Sequence, residues 1–308
     1  MAEQAAYSDL HKLTYLEVAL AEQLQKIEQP VITTYQLFHE LRTLYMSGRK
    51  LYARKSLPDR EDLRRRRYNL ESASVLAPDR DYTHRAYRIL GNSDRAAEEI
   101  ACIVDRFCYI AHLSAMARYG LTDRRPEALH LSTPHKRILP ELVRQAMIED
   151  YGANTLEELD DEQVMALHGV GHPAKLRKRP LAVFATAHPG RSIPLRGTYA
   201  RIASIGQTFA DMLEEPAACG GMRHVLEVWH EHASIYLEDI IAVVDKRPKG
   251  VTKVRAGYIL EEYLGLTDSR IDAWTQFAQR GGSRVLDPHA PFARTYSEKW
   301  MLSLNVQR

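Results

Sequence analysis

An α+β fold in two domains is what this sequence predicts: a smaller domain over residues 1–92 and a larger, mixed α/β domain over residues 93–308. Three observations carry that expectation. A chain of 308 residues is long for one hydrophobic core. Its N-terminal part repeats apolar residues at helical spacing and then turns to strand-like stretches. A polar stretch with one glycine, "LGNSDRA" at 90–96, separates that pattern from the next, and the boundary falls near Asn92.

In "SDLHKLTYLEVALAEQLQKIE" (8–28), Leu10, Leu13, Leu16, Leu20, Leu24 and Ile27 recur every three or four residues. This is an amphipathic helix, with Ser8 as its cap and Pro30 beyond its end. A second helix starts at Thr33 or Thr34, turns Leu37, Phe38, Leu41 and Tyr45 inward, and stops at Gly48. A basic connector, "RKLYARK", leads to "SLPD", where Ser56 and Asp59 have capping-box spacing and Pro58 suits a first turn. The third helix therefore begins near Leu57 and carries "LRRRRYNL" (63–70).

At about 100° per residue, Leu63 and Leu70 share a line that must face the core. Arg64, Arg65 and Tyr68 then point away from it. Arg66 and Arg67 fall on the flanks, where long stems cover apolar surface while the heads reach water or phosphate. "VLAPDRDYTHRAYRIL" follows as strand, polar turn and strand. Three helices and a basic hairpin are the order of a winged helix-turn-helix, in which the third helix enters the major groove and the hairpin meets flanking backbone.

Charge supports this. From Arg42 to Arg88 there are thirteen basic and six acidic residues, although the whole chain carries only +2. A basic patch on a small domain is the footprint of nucleic-acid binding. The expected contacts are Lys50, Arg54 and Lys55 in the connector, Arg60, Arg64, Arg65, Arg67 and Tyr68 on the helix, and Thr83, His84 and Arg85 at the hairpin. A second cluster, "KLRKRP", adds Lys175, Arg177, Lys178 and Arg179, either as surface loop or as extended DNA track. A charge run on a helix is most often only a solvated face; capping signature, outward Arg/Tyr face and hairpin together favour DNA.

Beyond Asn92, "AAEEIACIVDRFCYIAHLSAMARYG" reads as one helical stripe ending at Gly120. Further helices are expected at 138–150, 207–215, 221–233, 235–245, 251–264 and 269–280, with Ser204 and Ser269 as caps. Strands are expected at 129–132, 181–187, 193–204 and 299–306. Residues 93–308 should thus form an independent core.

Other chemistries find little support. His168 and His172 in "HGVGH" lie four apart, but two glycines make a helical metal face improbable. His230 and His232 point in different directions on a helix, and with His224 they read as solvated or core-edge histidines. There is no phosphate loop, dinucleotide fingerprint or nucleophile elbow. No catalytic residue, metal or cofactor is expected. Three cysteines, Cys102, Cys108 and Cys219, make no disulfide framework. With 45% hydrophobic and 27% charged residues, no secretory signal and no long apolar run, a soluble cytoplasmic protein without a membrane partner is expected.

Three stretches carry a family resemblance: "YIAHLSAMARYGLTDRRPEALHLSTP" (109–134), "ARIASIGQTFADMLEEPAACGGMRHVLEVW" (200–229) and "SRVLDPHAPFARTYSEKWMLSLNV" (283–306). In this order they resemble the AbiEi family of type IV antitoxins and repressors, over most of 85–308. The N-terminal part is less similar, because its long "SGRKLYARKSLP" connector departs from a compact helix-turn-helix. The resemblance implies autorepression at inverted repeats upstream of its own operon, and a C-terminal antitoxin domain. It also implies a cognate AbiEii-like nucleotidyltransferase toxin, antagonised without a stable complex. The alternatives are a regulator or protein-interaction module without antitoxin role, whose arginines bind an acidic partner, and an enzyme with an unfamiliar site.

Overall fold

The computed structural model describes residues 13–279 and 284–306. The fold is α+β, and its contacts divide the chain into two compact units, each assembled from separate stretches. The first takes residues up to Cys108, then Pro134–Leu181 and Gly197–Ala200; the second takes Tyr109–Thr133, Ala182–Arg196 and Arg201 onward. The contacts do not divide at Asn92, the boundary expected from sequence.

In the first unit, α1 (Tyr15–Lys26) is followed by β1 (Val31–Thr33), α2 (Thr34–Met46), α3 (Arg60–Ser72), β2 (Leu76–Pro78) and β3 (Ala86–Ile89). The caps differ in part from expectation. Thr14 forms a capping box with Glu17 and starts α1, so the helix begins later than Ser8, which lies outside the described residues. Thr33 and Gln36 form the box of α2, and Gly48 is left-handed as expected. α3 starts at Arg60 rather than Leu57, because the Asp59 carboxylate itself accepts the Asp62 amide at 2.8 Å.

The short strand β1 was missed in the sequence. Three residues before a capping box show no alternation, yet they pair with β3 in register Val31↔Arg88 to Thr33↔Ala86. β2 pairs β3 on its other side, Leu76↔Ile89 to Pro78↔Tyr87. The sheet order is therefore β1-β3-β2, all antiparallel. Leu16, Leu20, Leu24, Phe38, Leu41, Leu63, Leu70, Tyr87 and Ile89 fill one core between helices and sheet.

Later chain completes this unit. α4 (Ala97–Val104) packs on β1, while α6 (Leu139–Tyr151) contributes Tyr151 to the same core. The link at 90–96 is not a loose tether. Asn92 donates to the carbonyls of Ile27 and Gln29 at 2.6 and 2.7 Å.

The helix expected across 96–120 is two helices, α4 and α5 (His112–Arg118), with β4 (Tyr109–Ile110) between. Asp105 explains the break: its carboxylate accepts the Phe107 amide at 2.9 Å, a local turn that competes with helix. In the second unit, β4 then pairs antiparallel with β5 (Leu129–Pro134) and parallel with β9 (Arg201–Ala203). The strand expected at 193–204 is likewise two, β8 (Ser192–Pro194) and β9, folded back across a turn at left-handed Gly197. α7 (Ala153–Glu158) and the β6 (Lys175–Leu176) hairpin with the start of β7 (Arg179–Thr186) belong to the first unit.

The second unit's helices are α8 (Ile205–Glu214), α9 (Met222–His232), α10 (Leu237–Val244) and α11 (Gly250–Tyr258), the last continued by a π turn through Tyr263. They enclose Phe209, Trp229, Ile240, Trp274 and Trp300. Ser204 caps α8 as expected, whereas Asp268, not Ser269, caps α12 (Ser269–Ala273). Of the last expected strand only β11 (Leu302–Ser303) forms, paired with β10 (Tyr296–Ser297). Trp300 sits before it against Gly257, where an added Cβ would fall 2.1 Å from the indole ring.

Two outcomes follow. Leu63→Ala and Leu70→Ala should each lower stability by roughly 2–5 kcal/mol in denaturant unfolding, since both side chains are fully enclosed. Residues 93–308 expressed alone should lack the cooperative melt of the full chain, because α4, α6 and α7 lose the sheet and core they complete. A fragment melting as sharply and as high as the full chain would contradict that assembly.

Candidate nucleic-acid interface

α3 presents two faces. Leu63 and Leu70 are buried, and on the opposite side Arg64, Arg65 and Tyr68 stand in solvent, Tyr68 at 68% exposure. The outward arginines are not free chains. Arg64 pairs with Glu61 at 2.7 Å and Arg65 with Asp62 at 2.9 Å, each one turn back on the helix. The Arg64–Glu61 pair is exposed on both sides and contributes about 0–1 kcal/mol, so an incoming phosphate can displace it at small cost, whereas Asp62, the partner of Arg65, is buried and is also paired with Lys55 at 3.4 Å.

Arg66, expected to reach phosphate, is an internal strut instead, while Arg67 is half-buried at the edge of the core. Arg66 donates to Glu17 at 2.9 Å, and the Glu17 side chain is completely enclosed. Thr14 and Asn69 donate to the same carboxylate. Burial pushes that carboxyl up, but the Thr14 amide, Arg66 and Asn69 together hold it below its ordinary value. Arg67 donates to the Tyr87 hydroxyl at 2.7 Å and pairs with Glu71. The helical phase was legible from the leucines; the partners on α1 and β3, far away in sequence, were not.

The connector is exposed at Lys50, Arg54 and Lys55. Lys50 lies over the Tyr52 ring, and Lys55 is paired with Asp59 and Asp62. Arg60 donates to the carbonyls of Asp161 and Val164 at 2.9 and 3.1 Å. At the hairpin, Thr83, His84 and Arg85 are all exposed, His84 with φ of 67°. Arg85 reaches the Gly169 carbonyl at 3.3 Å. Arg88 projects outward from β3 between buried Tyr87 and Ile89.

The second basic cluster divides sharply. Lys175 and Lys178 are exposed, and Arg179 pairs with Glu98 at 3.1 Å. Arg177 is buried, donating to Asp79 at 2.6 Å, to Asp81, and to Asp94 at 2.9 Å. Arg177 is therefore withdrawn from any extended DNA track: its guanidinium is consumed by three carboxylates of the hairpin turn and the link. Nothing local in "KLRKRP" signals this, because the acidic partners lie more than eighty residues earlier.

The histidines also sort by environment. His172 bonds the Tyr82 hydroxyl at 2.7 Å and Asp105 at 3.2 Å, while His224 bonds Thr122 at 2.9 Å. His112 is buried beside Phe184 and His130, and burial, with His130 adding to it, pushes His112 down to about 4. Cys102 and Cys108 are buried, as small apolar residues should be.

Arg177→Ala should destabilise the protein by about 3–5 kcal/mol at neutral pH, since it strands the enclosed Asp79 carboxylate. Burial pushes Asp79 up, but hydrogen bonding and charge from Arg177, with the Asp81 and Tyr82 amides, hold it below its ordinary value. A depressed carboxyl stabilises the fold above its unfolded pKa, about 3.9, and that contribution fades as pH falls through the lower folded value. Urea unfolding across pH 2–7, a window of about five units around that value, should show this acid loss in the wild type and less of it in the variant. An unchanged midpoint for Arg177→Ala would contradict the role.

No protein-family model matches the chain, and no curated protein matches it. Among solved structures, it is similar to the crystal structure of the RV2827C protein from Mycobacterium tuberculosis, at 12% identity and a TM-score of 0.44, covering 94% of this chain and 92% of that one.

Proposed function

We propose that the protein binds duplex DNA through a winged helix formed by α1, β1, α2, α3, β2 and β3, and that it acts as the repressor and antitoxin of a type IV toxin–antitoxin pair. The observation that carries the DNA reading is the exposed Arg64–Arg65–Tyr68 face of a helix whose other face is fixed by Leu63 and Leu70. The element order helix–strand–helix–helix–strand–strand, with the hairpin's second strand β3 central, supports the winged-helix assignment. In this reading α3 enters the major groove, where a good bidentate arginine contact is worth about 1–3 kcal/mol of base discrimination. Thr83, His84, Arg85 and the connector cations Lys50 and Arg54 meet the flanking phosphates.

The antitoxin half rests on the AbiEi resemblance, whose motifs lie mainly in residues 109–134, 200–229 and 283–306. The partner it implies is a nucleotidyltransferase toxin antagonised without a stable complex, and the DNA is the protein's own promoter, at inverted repeats.

Mobility shift on DNA from upstream of the gene should show log K falling against log salt with a slope of about −0.9 per phosphate neutralised. Arg64→Ala and Tyr68→Ala should weaken binding to that DNA selectively while leaving the melting temperature within about 1–2 °C, as exposed-site changes do. A flat salt response, or equal affinity for any duplex, would remove the DNA reading. The double variant should also stop repressing while still restoring growth when toxin is expressed from an unrelated promoter. Loss of both together would mean that repression and protection share one surface.

A further inference from the structure

Residues 105–108, Asp-Arg-Phe-Cys, make the turn that ends α4, closed by the Cys108 amide donating to the Asp105 carbonyl at 3.3 Å. Such a turn offers two side-chain donors separated by two residues, as the Cys-x-x-Cys turns of zinc sites do. His172 supplies a third. One donor atom from each of Asp105, Cys108 and His172 lies within 4.8 Å of the others. All three side chains are sequestered: Cys108 is fully buried, and the His172 and Asp105 side chains are 2% and 5% exposed.

The separation of the two nearer donor atoms suits ligands of one small ion. Asp105 Oδ2 and His172 Nε2 are 3.2 Å apart, and two ligands at zinc distances in tetrahedral array lie about 3.3 Å apart. The remaining atoms are already engaged outside the cluster. Asp105 Oδ1 accepts the Phe107 amide, leaving Oδ2 turned to the histidine. His172 Nδ1 meets the Tyr82 hydroxyl at 2.7 Å, the outer partner that fixes ring orientation in metal-bound histidines. A hydrogen-bonded Asp–His–Tyr chain accounts for the polar contacts, and the Cys108 thiol, bonded to the Ala101 carbonyl at 3.3 Å, adds a soft donor within 4.8 Å of both ligand atoms.

We propose that Cys108 Sγ, His172 Nε2 and Asp105 Oδ2 form a zinc site, with a water as fourth ligand. Thiolate, imidazole and carboxylate together select zinc over magnesium or calcium, which take oxygen ligands. The proton balance is definite. The Cys108 thiol, 3.3 Å from the Ala101 carbonyl, gives its proton to solvent. On neutral His172 the ring proton moves from Nε2 to Nδ1, and the Tyr82 hydroxyl changes from donor to acceptor. One proton therefore leaves per ion, and affinity rises with pH. The ion ties the end of α4 and the 168–172 segment to Tyr82 at the hairpin turn.

The test uses untagged full-length protein stripped with chelator and titrated with zinc or cobalt(II). One ion should bind, one proton should appear in calorimetry run in buffers of different ionisation enthalpy, and cobalt should give a thiolate-to-metal charge-transfer band that zinc abolishes. Cys108→Ser should remove the band, Tyr82→Phe should weaken binding about 10–100-fold, and Cys102→Ser should leave both unchanged. No binding by the wild type, a cobalt spectrum without the thiolate band, or undiminished affinity in Cys108→Ser would each overturn the site. Because the first two readouts use the unaltered chain, a variant that fails to fold leaves the test standing.

Discussion

The first unit depends on one buried cation. The Arg177 side chain is only 7% exposed and is surrounded by Asp79, Asp81 and Asp94. Desolvating a guanidinium without compensation would cost several kcal/mol, so the three carboxylates are a condition of its being there. Asp79 is bound in turn: its carboxylate accepts the Asp81 and Tyr82 amides at 3.0 Å and shapes the hairpin turn. The exposed Thr83, His84 and Arg85 sit on a turn that a residue from the middle of the chain holds in place.

The same logic separates two kinds of arginine. Arg66, Arg67 and Arg177 have partners drawn from distant sequence and are structural. Arg64 and Arg65 are exposed and have partners one turn away on the same helix, Glu61 in water and Asp62 buried. A DNA-binding surface needs cations of the second kind, present in quantity yet easily released. The proposed function therefore rests on fewer residues than the basic composition suggests, and on a more defined face.

How much was legible follows from where the deciding partner lies. The phase of α3, the β2–β3 hairpin and the boundaries of most second-unit helices depend on spacing within a few residues, and sequence reading found them. The break at Asp105–Cys108 was hidden because Ile100, Ile103 and Val104 run into Phe107 and Ile110 with helical spacing, while the pairing of Tyr109 and Ile110 with β5 and β9 decides otherwise. The contacts around Asn92 were hidden for the same reason: polarity marked a loop, but Asn92 is pinned to two carbonyls and α4 packs back on β1. For the candidate surface, the outward residues could be read from periodicity. The burial of Arg177 and the meeting of Asp105, Cys108 and His172 could not.

The interleaved path of the chain also imposes an order on synthesis. Asp79 and Arg177 are separated by 98 residues. At about 5–20 residues per second, a ribosome takes roughly 5–20 s to add that interval. During that time the hairpin aspartates have left the ribosomal tunnel without the guanidinium that later encloses them, and they remain hydrated. The helices and sheet at the N-terminus can collapse early, yet the turn that presents Thr83, His84 and Arg85 reaches its final form only when Arg177 has emerged. A nascent chain shorter than that thus carries α3 before it carries a finished β2–β3 turn, and the first unit closes late in translation.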